Sequence, residues 1–172
     1  MDSAVFPGFQ GGPLEHVIAA KAVAFREAAQ PAFADYAAAV VANAASFGAA
    51  LAAEGFRLVS GGTDNHMLLL DLRDFDAELT GKQAQEALDR AGITTNRNTI
   101  PDDPRSAFVT SGLRVGSAAE TTAGMGAAEF AQIAGLMART LRHRDDDSWL
   151  VATRSEVLEL CARFNPYARF TA

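Results

Sequence analysis

Three stretches of this chain combine residue types and spacings that could do chemistry. In Gly8-Phe9-Gln10-Gly11-Gly12-Pro13, ahead of an apolar-periodic segment, glycines would let backbone N–H groups approach an anion closely. A following helix would add partial positive charge, so a phosphate is a sensible ligand. An ordinary turn is the simpler alternative, because the spacing is neither the P-loop nor the dinucleotide fingerprint. In Gly61-Gly62-Thr63-Asp64-Asn65-His66, Asp64 and His66 stand two apart, a spacing open to acid–base or metal chemistry. His16 and His143 lie far off in sequence and Asp and Asn are turn formers, so a structural turn with His66 hydrogen-bonded is favoured and no metal site is predicted. In Ser111-Gly112-Leu113-Arg114-Val115-Gly116, strand alternation sets Arg114 on the face opposite Leu113 and Val115. If that face lines a cleft, the planar guanidinium fork suits a carboxylate. A surface arginine on an edge strand fits the same pattern. No Ser-His-Asp order, paired catalytic carboxylates or zinc cluster emerges, so no catalytic residue is named.

The elements that would position these residues are legible. Apolar spacing predicts a helix over residues 14–28, with Pro13 as its first residue, and a longer one from Pro31 to a stop at Gly55. Short strands are predicted over 56–60, 66–72 and 111–116. Thr80-Gly81-Lys82-Gln83 matches a capping box opening a helix to about residue 91, and Ser117-Ala118-Ala119-Glu120 is a second match. Residues 96–107 read as a long polar loop of the kind that is often functional. Two further helices are expected over 127–141 and 148–164, the last behind Asp145-Asp146-Asp147. The fold class is α/β, with an α+β small domain over 56–172 and a helical segment over 1–55 that has no sheet of its own.

Bulk properties narrow the function classes. A formal charge of -6 with scattered basic residues argues against a nucleic-acid partner. No apolar run reaches the roughly 18–20 residues of a membrane span, and no signal peptide is readable. Cys161, the single cysteine, falls in a helical apolar pattern and reads as a packed core thiol, in keeping with a reducing cytoplasm.

Taken in order, the pieces resemble one family. Ser3-Ala4-Val5-Phe6-Pro7-Gly8-Phe9-Gln10-Gly11-Gly12-Pro13 and His16-Val17-Ile18-Ala19-Ala20-Lys21 resemble the serine hydroxymethyltransferase segment that follows the cofactor lysine. Leu58-Val59-Ser60-Gly61-Gly62-Thr63-Asp64-Asn65-His66, Leu79-Thr80-Gly81-Lys82, Asn96-Arg97-Asn98-Thr99-Ile100-Pro101 and Phe108-Val109-Thr110-Ser111-Gly112-Leu113-Arg114-Val115-Gly116 continue the likeness. The resemblance implies the C-terminal portion of a fold-type I pyridoxal phosphate enzyme that interconverts serine and glycine, with tetrahydrofolate as one-carbon acceptor. It implies that Arg114 holds the amino acid carboxylate, and that Asn98, Ser106, Ala107 and Phe108 contact the folate. Ala107 departs from the family, which has proline there. Gly11 and Gly12 match the loop that reaches the cofactor phosphate of a neighbouring subunit, which implies a homo-oligomer or pairing with a full-length homologue. Asp64 and His66 receive no catalytic role.

The resemblance also makes some expected groups conspicuous. The lysines are Lys21, inside the first predicted helix, and Lys82, inside a capping box, and neither suits a Schiff base. Residues 1–55 read as a remnant of a large domain. The expectation is a cytoplasmic chain without turnover of its own. The alternative is a non-catalytic truncated paralogue that binds full-length subunits.

Overall fold

In the computed structural model, which describes residues 1–167, the chain forms two compact units, Met1–Ala37 and a second beginning at Ala38. The first unit carries a helical turn over Ala4–Phe9, broken at Phe6 and Pro7, then α1 (Glu15–Ala28) and the first turns of α2 (Pro31–Ala53). Helix α1 opens at Glu15, with Leu14 in the cap position, so Pro13 precedes the helix instead of beginning it. Pro31, by contrast, does open α2, where its missing N–H has no intrahelical partner to lose. Glu15 in the first turn and Arg26 in the last both complement the helix dipole. The apolar spacing that predicts α1 is real, yet Val17, Ile18, Val23 and Phe25 all stay exposed.

The second unit is built on a four-stranded antiparallel sheet in the order β1 (Arg57–Leu58), β2 (Met67–Asp71), β4 (Gly112–Gly116), β3 (Asn96–Asn98). Leu68, Leu70 and Leu113 are buried on one face against Phe47 and Leu51 of α2, Leu88 of α3 (Gly81–Arg90), and Phe130, Leu136 and Met137 of α5 (Ala127–Arg142). The Phe47 and Phe130 rings meet tilted, with centroids 5.3 Å apart. Leu150, Val157 and Leu160 of α6 (Asp147–Arg163) are buried as well. The compact second unit thus takes in the C-terminal half of α2, because Val40, Ala44, Phe47 and Leu51 form a buried stripe along it.

Caps fix where the helices start. Thr80 and Gln83 form the predicted reciprocal box: Gln83 N–H donates to Thr80 Oγ1 at 3.1 Å and Thr80 N–H donates to Gln83 Oε1 at 3.0 Å. Asp146 caps α6 by accepting from Ser148 N–H and Trp149 N–H. The box expected at Ser117 does not form. The Ser117 hydroxyl donates instead to Val40 O at 2.7 Å, binding the start of α4 (Ala118–Ala123) to α2.

Three further expectations are corrected. Residues 96–98, read as loop, form β3, which pairs Asn96 with Arg114 and Asn98 with Gly112. Their polarity hides them from any test of apolar alternation. The first strand is shorter than 56–60, because the chain turns over Val59–Gly61 with Ser60 at φ 62°. Cys161 is exposed, not packed. It follows the buried series Leu150, Thr153, Val157 and Leu160 and lies just off that stripe, bordering a surface cleft with Met125 and Phe164. Among the described residues α2 is long and apolar enough to cross a membrane by length and composition alone, although no uninterrupted apolar run was expected. Its buried stripe in the second unit is the pattern of a core helix.

Candidate functional site

Alternation along β4 sends Leu113 into the core and Arg114 to the other side. Directly opposite Arg114 stand Leu69 of β2 and Asn96 of β3. Facing partners in an antiparallel pair point the same way, with Cβ atoms about 5 Å apart and diagonal neighbours about 7–8 Å. Arg114, Asn96 and, diagonally, Asn98 therefore share one sheet face. At one end Ile100 packs against Gly112, where a Cβ would lie 2.6 Å from Ile100 Cγ2 and 2.7 Å from Leu70 O. At the other end the face opens, leaving Arg114 and Met67 exposed.

Most arginines of the second unit are engaged. Arg57 and Arg73 bind Asp71, Arg139 binds Glu156, Arg142 binds Glu54 and Arg144 binds Asp76. The Arg114 guanidinium makes no hydrogen bond or ion pair with any described residue. Arg114 also lines, with Asn96 and Met67, a cleft of about 590 Å³ whose other walls include Phe47, Ile133, Met137, His66 and Glu120. An exposed planar guanidinium without a partner can take a carboxylate by a bidentate pair.

The loop between β3 and β4 is firmly tied. Asp103 Oδ1 accepts from Arg105 N–H at 2.9 Å and from the Ser111 hydroxyl at 2.8 Å. Its Oδ2 accepts from Ser111 N–H at 2.9 Å and Ile100 N–H at 3.2 Å. Burial alone would raise the Asp103 pKa, but the hydrogen bonds from Arg105, Ser111 and Ile100 outweigh it and hold the carboxyl below the usual range. The Arg105 guanidinium donates to Leu79 O at 2.7 Å and Ala77 O at 2.8 Å. Ser106 O accepts from Val109 N–H and Thr110 N–H, a turn that leaves Ser106, Ala107 and Phe108 exposed, Phe108 at 79%. Helix α3 docks on the same loop, with Gly81 N–H and Lys82 N–H donating to Thr110 O and Val109 O, both at 3.0 Å.

The second unit thus brings Arg114, Asn98 and the Ser106–Phe108 turn onto one sheet and its connecting loop. Asn98 Nδ2 donates to Thr99 O at 2.7 Å. Gly11 and Gly12 lie in the first unit, exposed, with no atom within 4 Å of where a Cβ would stand. His66 borders the cleft, but it is its carbonyl, not its ring, that is bonded, accepting from Ser117 N–H. The turn itself is held by Asn65, whose Oδ1 accepts from Met67 N–H at 2.8 Å. Among the described residues no group of three His, Cys, Asp or Glu is placed to hold a metal. Asp103 escaped the sequence reading. Its signal was an aspartate two residues before the N–H it binds, in a proline-bearing loop, which is the pattern of an Asx turn.

The family model for serine hydroxymethyltransferase matches residues 1–137, a span that contains every one of these residues. The chain belongs to the serine hydroxymethyltransferase family. A serine hydroxymethyltransferase from Synechococcus sp. (strain JA-3-3Ab) is 54% identical over 97% of the chain. The chain spans 41% of that relative's length. The glycine-rich stretch, β3, the Asp103 loop and β4 all fall within the family match, while α6 lies beyond it.

Proposed function

We propose that this chain is the C-terminal part of a fold-type I serine hydroxymethyltransferase, an enzyme that interconverts serine and glycine with tetrahydrofolate as one-carbon acceptor and pyridoxal phosphate as cofactor. The observation that carries the reading is Arg114, an unpaired guanidinium on an open sheet face beside Asn96 and Asn98, in a chain of this family. In this reading Arg114 holds the amino acid carboxylate by a bidentate pair and so fixes the orientation of the Cα bonds. Asn98 and the Ser106, Ala107 and Phe108 turn contact the folate, whose flat rings suit the exposed Phe108 side chain. Residues 1–55 belong to the large domain and 56–172 form the small one, in a cytoplasmic protein that acts as a homo-oligomer or with a full-length homologue.

The residues of this chain fit one end of the cofactor. The N–H groups of Gly11 and Gly12 donate to no described residue, and their surroundings are open, so phosphate oxygens of a neighbouring subunit's cofactor can approach them. The aldehyde end finds no match. Lys21 sits within α1, and Lys82, in the first turn of α3, has its ammonium 3.9 Å from Glu86. The lone chain is therefore proposed to lack turnover. Adding pyridoxal phosphate should give no absorbance band of a bound cofactor, and adding serine and tetrahydrofolate should give no glycine. Either signal would overturn this reading of the lone chain.

The exposed Val17, Ile18, Val23 and Phe25 of α1 favour a second reading, a non-catalytic paralogue that binds full-length subunits. Co-purification with the full-length enzyme without any gain in activity would select it. Restored turnover on mixing with a separately expressed lysine-bearing half would select the first.

A further inference from the structure

We propose that Asp103 is the positioning residue of this site, holding the loop between β3 and β4 so that Asn98 and the Ser106–Phe108 turn face the folate beside Arg114. The inference rests on the functional reading above and adds to it a residue that contacts no substrate.

The bonding pattern carries it. The Asp103 carboxylate accepts four hydrogen bonds from three points in the chain, Ile100, Arg105 and Ser111. Ile100 lies two residues beyond Asn98, and Ser111 immediately precedes Gly112, the residue paired with Asn98. One side chain therefore ties the exit of β3 to the entrance of β4. Otherwise strand β3 is held by its ladder to β4 and by Arg97 N–H, which donates to Gln85 Oε1 of α3 at 3.0 Å. Asn96, Arg97 and Asn98 offer no apolar side chain to the core. The connection is too long for a tight hairpin turn to set the register. Each carboxylate oxygen takes two bonds, and all four partners are donors. A carboxylate is the side-chain group that accepts at both oxygens. An asparagine would turn an NH2 toward two N–H or O–H donors, so Asp103→Asn preserves shape while breaking half the pattern.

Amide hydrogen exchange on the whole chain, combined with titration of a reduced folate, 5-formyltetrahydrofolate, provides the test. In Asp103→Asn, protection at Ile100, Arg105 and Ser111 should fall about tenfold or more, the effect of losing charge-assisted bonds. Protection in α5 and α6 should stay as in the wild type. Ser111→Ala, which removes the hydroxyl bond to Asp103 and a 3.5 Å contact from Arg105 Nη1, should give a smaller fall at the same amides. Affinity for 5-formyltetrahydrofolate should drop about tenfold in Asp103→Asn and less in Ser111→Ala. Unchanged exchange at the three amides overturns the proposal, and so does freed exchange with wild-type folate affinity. If the wild-type chain binds no 5-formyltetrahydrofolate, the folate reading falls, and the exchange pattern alone decides whether Asp103 holds the loop. If Asp103→Asn loses protection in α5 and α6 as well, it has unfolded, and Ser111→Ala decides by the same criteria.

Discussion

Replacing Gly81 by alanine sets two opposing effects against each other. Alanine is the better helix former by up to about 1 kcal/mol in a helix interior, and it restricts the unfolded chain. Gly81, however, is the first residue of α3 and lies against the loop, where a Cβ would collide with Thr110 Oγ1 and stand 2.6 Å from Gly112 O. Rotating the Thr110 hydroxyl away leaves Thr110 Cβ at 3.3 Å. The Gly112 carbonyl has no such freedom, because Gly112 is paired on both sides, with Asp71 and Asn98. Backing α3 away would stretch the bonds from Gly81 and Lys82 to Thr110 O and Val109 O, each worth about 1 kcal/mol. Overpacking of this kind costs about 1–3 kcal/mol, and at the first helical position the propensity gain is the smaller quantity. Gly81→Ala should therefore destabilise by about 2 kcal/mol, lowering the melting temperature by roughly 4–8 °C. Urea unfolding followed by far-ultraviolet circular dichroism reads the change. Adding Thr110→Ala should recover only part, since Gly112 O remains. An alanine variant as stable as the wild type would refute the steric reasoning.

Other outcomes follow from the same geometry. Arg73 hydrogen-bonds the buried Asp71 and holds its carboxyl below the ordinary range. A depressed folded-state pKa contributes stability above the unfolded value, about 3.9, that is lost as pH falls through the folded value. Urea midpoints should therefore be level near neutrality and decline below about pH 4, and Asp71→Asn should flatten that acid decline while lowering the neutral midpoint. Arg114→Ala removes an exposed, unpaired group and should shift stability by no more than about 0.5 kcal/mol in the same assay; a larger loss would mean that Arg114 supports the sheet. The Cys161 thiol, exposed at the end of α6, should react with a thiol reagent in the native protein as fast as in urea, whereas a slow native reaction would restore the core assignment.

What the sequence disclosed depended on whether the physics was local. The Thr80–Gln83 box is set by residues three apart, and it forms as read. So do β2, read as a short apolar run, and the Arg114 strand, where alternation reports burial directly. Ser117 shows the limit. Its local pattern matches a cap, but Val40, distant in sequence, offers a better acceptor, and tertiary contact decides. Cys161 fails for a related reason, since apolar spacing gives the face of a helix but not where along it the covering ends. Strand β3 and Asp103 were missed together. A polar strand has no periodic signature, and its hold comes from β4, from Gln85 of α3 and from a carboxylate whose partners span residues 100–111.

That double omission bears on function. Asparagine is depleted in strands, and Asn96-Arg97-Asn98 brings no apolar burial to offset the entropy of ordering it. A sheet selected for stability alone would put β-branched or aromatic side chains at these places. The chain instead holds polar residues in an ordered strand with an outside staple and leaves an unpaired arginine opposite them. Local rules broken together are expected most often at functional surfaces. On the proposed reading the sheet face around Arg114 is a recognition surface, and Asp103 is the residue that gives it a fixed shape.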